Sequence, residues 1–511
     1  MIAYIKRFFS KIFSRLVITA FIVLVQALWL VAAITRLSEY GEITSAVFTI
    51  LAAIMALFVI YRNDSGAYKL GWILLICLVP ILGTLMYAFF GNKRPSRRLK
   101  RIIEEVESKH KDELRQQERL GELSNSRLQR TVDYVAKEGP YPAWSGTKSK
   151  YYSLGDKAFP DLLQDLKNAK HFIFMEYFII EEGEMWAEIF DILKEKVKEG
   201  LDVRVIYDDV GSMDKIPYGF QKKLEAEGVK VVVFNPVRPI LNLVYNNRDH
   251  RKITVIDGYI CHTGGYNLAD EYINRVERFG HWKDSGIRLE GEAVWNYTVM
   301  FLNIWNAYRK TDTDYSPFAP HVHHPEVFDS DGIVQPFSDS PLDDENVSEN
   351  VYLEIINQAE EYIYLYTPYL ILDAEMLSCL QLAARRGVDV RVVTPGIPDK
   401  KLIFRLTRSY YQPLMKAGVK VYEYTPGFIH SKSILADDFI GVVGTINMDY
   451  RSLYLHFECG TMMIGSSVLR KLKEDCQLTF SRCHRISEED TRTGFLGLLF
   501  DGVLRVLSPL L

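Results

Sequence analysis

The sequence predicts an α/β fold made of two α/β/α halves related by pseudo-twofold symmetry and preceded by apolar N-terminal helices. Three observations carry this expectation. The first 92 residues hold three apolar stretches, the chain beyond residue 140 repeats its own strand and helix pattern, and each repeat carries the same spaced set of His, Lys, Asp, Gly and Asn.

The apolar stretches run over about residues 16–34, 43–60 and 70–90. Each approaches the roughly 20 residues that a helix needs to cross about 30 Å of hydrocarbon. Residues 1–92 therefore read as a membrane anchor of two to three apolar helices. Lys6, Arg7, Lys11 and Arg15 precede the first stretch, and Lys93, Arg94, Arg97, Arg98, Lys100 and Arg101 follow the third. Positive flanks favour the cytoplasm. Three crossings would put these flanks on opposite sides. Two crossings reconcile them, with one stretch re-entrant or in the interface; the third carries Pro80 and Gly83. This reading gives a multi-pass cell-membrane protein whose larger, charged part is cytoplasmic.

Residues 93–140 form a charged, helix-prone connector. Its leading basic cluster suits anionic headgroups, the alternative being a solvated helix. Elsewhere charge is balanced: 61 Lys and Arg against 65 Asp and Glu give a net charge of -4. No global basicity points to nucleic acid as partner. Cys77, Cys261, Cys379, Cys459, Cys476 and Cys483 are scattered, which suits a reducing compartment and no zinc ligand pair.

The repeat then declares itself. Residues 169–175 (AKHFIFM) match 359–365 (AEEYIYL), 200–206 (GLDVRVI) match 387–393 (GVDVRVV), and 228–232 (GVKVV) match 418–422 (GVKVY). Each apolar run reads as a buried strand, and each leading Gly closes a helix. Both halves thus read strand, helix, strand, helix, strand, with right-handed crossovers. The boundaries are 141–312 for the first half, 313–348 for a linker rich in Pro, Asp and Ser, and 349–483 for the second half. Residues 484–511 form an amphipathic tail that packs on the repeated halves or lies in the bilayer interface. Asp501 and Arg505 share one face of it.

The informative match is the last. His250, Lys252 and Asp257 with Gly264 and Asn267 repeat as His430, Lys432 and Asp437 with Gly444 and Asn447, each set spaced H-x-K-x4-D-x6-G-[GT]-x-N. His and Lys two apart on a strand leave the same face. Asp257-Gly258, and Asp437-Asp438 in the matching place, are hairpin signals. The glycine ends the returning strand and turns the Asn back. Pairing the halves about a twofold axis would gather two His, two Lys and two Asn around one point. Such donors suit the non-bridging oxygens of a phosphodiester. A neutral imidazole can attack phosphorus, and a protonated one can serve the leaving and entering alcohols. The lysines supply the charge, so neither metal nor organic cofactor is called for. Asp257 and Asp437 complete the motif but read as structural rather than chemical.

These residues resemble the HKD motifs of the phospholipase D superfamily, over most of residues 141–483. The resemblance implies phospholipase D-like halves and a phosphohistidine intermediate. It implies an acid downstream of each motif that orients a histidine, here Asp284 and Glu458. It makes His250 the nucleophile and His430 the acid/base, although the sequence leaves the two nearly symmetric. Within the superfamily, the segments 80–91, 176–179, 208–211, 247–252, 447–452 and 505–511 are similar to blocks of the bacterial cardiolipin synthases. That implies phosphatidyl transfer between two phosphatidylglycerols, giving cardiolipin and glycerol, at a bilayer with anionic lipids. Two departures stand out: an extra apolar stretch at the N-terminus, and His456 where Asn is commoner.

Other readings remain open: phosphatidyl transfer to another alcohol, phospholipase D-type hydrolysis, a nuclease, or a non-catalytic membrane scaffold. Glu176, Arg248 and Arg451 read as supporting groups, Cys261 as a packing residue, and His321, His323 and His324 as a solvated loop rather than a metal site. Oligomeric state is not legible.

Overall fold

The computed structural model describes residues 41–62, 64–91, 97–114, 125–237, 247–342 and 345–510, together with Leu28 and Ala32. The 16–34 stretch otherwise lies outside these residues, as do Lys93 and Arg94. The 43–60 stretch forms helix α1 (Gly41–Tyr61). The 70–90 stretch is not one helix. It breaks into α2 (Gly66–Leu78) and α3 (Pro80–Phe90), because Pro80 drives Val79 out of the helical region to φ -136°. The two pieces fold back on each other so closely that a Cβ on Gly83 would lie 2.6 Å from the Ile76 Cα. Trp72 stacks edge-on against Tyr87 inside the turn, with ring centroids 5.2 Å apart. Among the described residues no helix is long and apolar enough to cross a membrane.

Two helices of the connector each bury one apolar stripe. In α4 (Arg97–Lys109), Leu99, Ile103 and Val106 form one buried stripe, and in α5 (Ser126–Glu138), Leu128, Val132 and Val135 form another. Asn125 caps α5 by accepting from the backbone amide of Arg127 at 3.0 Å.

The first half holds β1 (Thr147–Tyr152), β2 (Phe172–Tyr177), α6 (Glu184–Lys198), β3 (Asp202–Asp208), α7 (Phe220–Ala226), β4 (Lys230–Phe234), β5 (Lys252–Ile256), β6 (Ile260–Gly264), β7 (His281–Lys283), β8 (Gly286–Gly291) and α8 (Val294–Arg309). Strands β2, β3 and β4 are parallel, as the crossovers require, and the sheet runs β1-β8-β6-β5-β2-β3-β4. The second half holds β9 (Ile333–Asp339), α9 (Val347–Gln358), β10 (Tyr362–Tyr366), α10 (Ala374–Arg385), β11 (Asp389–Pro395), α11 (Lys401–Ser409), β12 (Lys420–Tyr424), β13 (Gly427–Ile429), β14 (Ser433–Ala436), β15 (Ile440–Gly444), β16 (Glu458–Ile464) and β17 (Cys483–Arg485). Its sheet runs β17-β12-β11-β10-β14-β15-β16-β9, the same order with one added edge strand. The segment 313–348 is therefore more than a linker. It contributes β9, which pairs with β16 along seven residues from Ile333↔Ile464 to Asp339↔Glu458.

The halves share one core. Phe174, Val255 and Leu289 of the first sheet cluster with Leu435, Val443 and Met463 of the second, around α8. Thirteen of the sixteen residues of α8 are buried, so it reads apolar all round rather than amphipathic. Strands β7 and β13 pair in parallel across the boundary. The tail forms α12 (Phe495–Leu507), pinned to α11 by Asp501 against Arg405 at 2.7 Å. Arg505 of the same helix donates to Ser409. Leu504 is its buried apolar contact, while Phe495, Leu496 and Leu499 stay exposed.

Candidate active site

Each motif histidine sits just before its hairpin, not within a strand. His250 precedes β5 and His430 lies between β13 and β14. Both are fixed by the opposite half. The His250 amide donates to the Phe457 carbonyl at 2.9 Å, and the His430 amide donates to the Lys283 carbonyl at 2.7 Å. The residue after each carbonyl is an orienting acid. Nδ1 of His250 lies 2.9 Å from the Glu458 carboxyl, and Nδ1 of His430 lies 2.7 Å from that of Asp284. The pairs are crossed: each half supplies the acid for the other half's histidine. Either half alone would leave its histidine unoriented.

His250, His430, Asn267 and Asn447 line one cavity of about 590 Å³, with Arg248 and Arg451 on its wall. Asn267 is held by the Ile179 amide, which donates to its Oδ1 at 3.1 Å, and it donates to the Tyr272 hydroxyl at 2.8 Å. The Oδ1 of Asn447 is buried with no partner among the described residues. Phe178, Ile371 and Phe428 add apolar wall, beside the charged Asp399, Lys400 and Asp449.

The lysines depart from the expectation. Lys252 and Lys432 are wholly buried, outside the cavity wall, and each Nζ donates to the carbonyl of its own motif histidine. Burial pushes Lys252 down to about 8 and Lys432 down to about 7. Asp257 and Asp437 lie at the far end of the hairpins. Asp257 accepts from the amides of Lys170, His171 and Phe172, and Asp437 from those of Glu360, Glu361 and Tyr362. These bonds tie each hairpin turn to the start of the first parallel strand. In the structure they are anchors of the hairpin turns.

The two histidine–acid pairs differ. Burial and the neighbouring Lys252 and His456 hold His250 well below its ordinary value. Burial also lowers His430, to about 4, but the Asp284 carboxylate opposes this. Asp284 itself stays below the usual carboxylate range: His430 and Lys432 overcome its burial. Glu458 is pushed up to about 8 by burial, against Lys252 and the hydroxyls of Ser452 and Thr445, each 2.5 Å away. His250 is therefore the more strictly neutral imidazole, and His430 the one with a carboxylate favouring its protonated form.

Sequence reasoning missed Thr445, Ser452 and Tyr272. Thr445 had a signal, since it is the variable residue of the G-[GT]-x-N block. Its first-half counterpart is Gly265, where a Cβ would lie 2.0 Å from Asp284 Oδ1. One half uses this position to leave room for its acid, the other to bond to it. Gly265→Ala should displace Asp284 and cut turnover roughly 100-fold, with a smaller loss in melting temperature; steady-state assays beside thermal melts check both. Glu176, one of the supporting candidates, is buried against Arg251 at 2.7 Å rather than in the cavity. Cys261 is a buried packing residue, and His321, His323 and His324 lie outside the site.

Comparison with known proteins agrees with this geometry. The family described as cardiolipin synthase, PLD-like domain, matches residues 162–294 and 352–479, and a phospholipase D-nuclease N-terminal family matches residues 47–92. The chain is 35% identical over 476 residues to a cardiolipin synthase of Alkalihalophilus pseudofirmus, covering 91% of this chain and 93% of that one. It is 34% identical over 466 residues to cardiolipin synthase 1 of Bacillus anthracis, covering 89% and 91%. Among solved structures, a phosphatidylserine synthase of Haemophilus influenzae aligns with a TM-score of 0.53 at 13% identity, over 76% of this chain and all of that one, a likeness of fold.

Proposed function

The chain belongs to the bacterial cardiolipin synthases of the phospholipase D superfamily, and from that premise we propose how its site joins two phosphatidylglycerols into cardiolipin and glycerol. The observation that carries the reading is the crossed pairing of His250 with Glu458 and His430 with Asp284 at one cavity. The phosphodiester of the donor lipid sits between the histidines. Nε2 of His250 attacks phosphorus, and the P–O bond to the headgroup glycerol breaks. Protonated His430 gives its Nε2 proton to that leaving alkoxide. His430, now neutral, takes the proton from a headgroup hydroxyl of the second lipid. That oxygen displaces His250 from phosphorus and releases cardiolipin. Asn267 and Asn447 donate to the non-bridging oxygens. The buried ammonium groups of Lys252 and Lys432 act from below, where a bound phosphodiester anion holds them charged.

The enzyme is membrane-associated. We place its contact with the bilayer on α1, the α2–α3 hairpin and α12. These leave Ile50, Ile54, Leu57, Leu78, Leu496 and Leu499 exposed, and α2 packs on α12. Ser508, directly after α12, lines the catalytic cavity, so a lipid entering there leaves this apolar surface only at its headgroup end. The hairpin is a re-entrant element in this reading, which keeps both basic flanks and the catalytic halves on the cytoplasmic side.

The test is direct. Purified, detergent-solubilised protein is given labelled phosphatidylglycerol in EDTA, and lipids are resolved by mass spectrometry beside a glycerol assay. Cardiolipin and glycerol in equal amounts are expected. Phosphatidic acid without cardiolipin would mean a hydrolase, and a requirement for added metal would sink the lysine-based account.

A further inference from the structure

We propose that His250, His456 and Glu458 form a binding site for a divalent transition-metal ion such as zinc, and that filling it switches the enzyme off. Donor atoms of these three residues lie within 4.8 Å of one another, the one group of three such ligands among the described residues. The imidazole rings of His250 and His456 are 5.6 Å apart between centroids, and His456 Nδ1 is 3.9 Å from the Glu458 carboxyl. Both ring nitrogens of His456 are buried without a hydrogen-bond partner among the described residues. An unsatisfied buried polar atom costs about 1–3 kcal/mol. A ligand bound in this space would recover it.

The donor set fits zinc. Two imidazoles and one carboxylate are the three protein ligands of many zinc sites, leaving a fourth position for water or a phosphate oxygen. Bonds of about 2.0–2.1 Å require the donors to close up. His456 can supply that movement, because no hydrogen bond fixes its ring. Glu458 is already held by the hydroxyls of Ser452 and Thr445, the kind of outer support that metal-bound carboxylates have. The other half cannot build the same site. The residue two before its acid is Trp282, whose indole offers no lone pair to a metal.

Inhibition follows from the atoms. The ion takes the lone pair of His250 Nδ1, and the single ring proton of the neutral imidazole then resides on Nε2. Nε2 loses the lone pair with which it attacks phosphorus, and Glu458 no longer orients the ring. This consequence rests on the reading of His250 as nucleophile, whereas occupancy of the site does not.

The experiment separates the two. Full-length, EDTA-stripped protein in detergent is titrated with zinc by calorimetry and with cobalt by visible absorption, without lipid. One ion per chain is expected, with the intense bands of four-coordinate cobalt. His456→Asn should weaken binding at least ten-fold. His456→Gln serves the same purpose if the Asn variant does not give the wild-type melting curve, and His321→Ala with His323→Ala should change nothing. Saturable binding that is unaltered in the His456 variants, or no saturable binding, overturns the site. In the cardiolipin assay, zinc should inhibit the wild type at the concentration that fills the site, with EDTA restoring turnover. The ratio of inhibited to metal-free turnover should move toward one in His456→Asn. An occupied site with undiminished turnover overturns the switch. Failure of the metal-free wild type to make cardiolipin would instead strike the proposed function and leave the binding result standing.

Discussion

His250→Ala and His430→Ala should each lower cardiolipin formation by roughly 10⁴-fold or more, and the double variant should be little worse than either. The two imidazoles act in one sequence of bond changes, so removing one already stops it. Their separate roles appear when the leaving group changes. A phosphatidyl ester of p-nitrophenol departs without a proton, so it needs the nucleophile but not the acid. His430→Ala should then release a burst of about one nitrophenolate per chain, because the phosphatidyl-histidine forms and stalls without a base for the acceptor. His250→Ala should show no burst. The reverse pattern would exchange the two roles, and a burst in neither would remove the covalent intermediate. The asymmetry behind this expectation is electrostatic: His250 is held neutral by burial and the neighbouring Lys252, whereas His430 faces the Asp284 carboxylate.

Much of this site was legible because chemistry and symmetry repeat in the chain. The H-x-K-x4-D-x6-G-x-x-N spacing located both histidines and both asparagines. It also located both turns, where Asp257 and Gly258, and Asp437 and Asp438, adopt positive φ. What the spacing could not convey was direction across the halves. Glu458 serves His250 from 208 residues away, and only the antiparallel register of β16 in its sheet brings the carboxyl there. The burial of both lysines behind the cavity wall was illegible for a related reason. Alternation on a strand puts His and Lys on one face, but His250 and His430 lie before the strands begin, where alternation no longer governs. The broken 70–90 stretch was foreshadowed by Pro80 and Gly83. By contrast, the strand within 313–348 was hidden: Ile333–Asp339 contains Pro336 and lies in a Pro- and Asp-rich region. It is a strand because the open edge of β16 needs a partner, which is a tertiary requirement.

Asp284→Asn should lower turnover by about 10³–10⁴-fold at neutral pH with phosphatidylglycerol as donor, and far less with the p-nitrophenyl ester. The amide can still accept the Nδ1 proton of His430 at the observed 2.7 Å, so orientation is largely kept and charge is what is lost. The sign of the pH effect then follows. Burial lowers His430 to about 4 even with the carboxylate opposing it, so without that charge it falls further. The protonated fraction at a given pH drops about ten-fold for each unit of that fall. The variant should therefore gain activity as pH is lowered across a range where the wild type changes less, because added acid replaces what the carboxylate supplied. Glu458→Gln should behave differently. Its partner must be neutral to attack, and a neutral amide held by Ser452 and Thr445 still accepts from His250, so the loss should be smaller and should not be relieved by acid. A pH–rate series on both variants decides the point. Equal losses with the same pH slope would show that the two acids do the same work, and the division of labour between the halves would have to be abandoned.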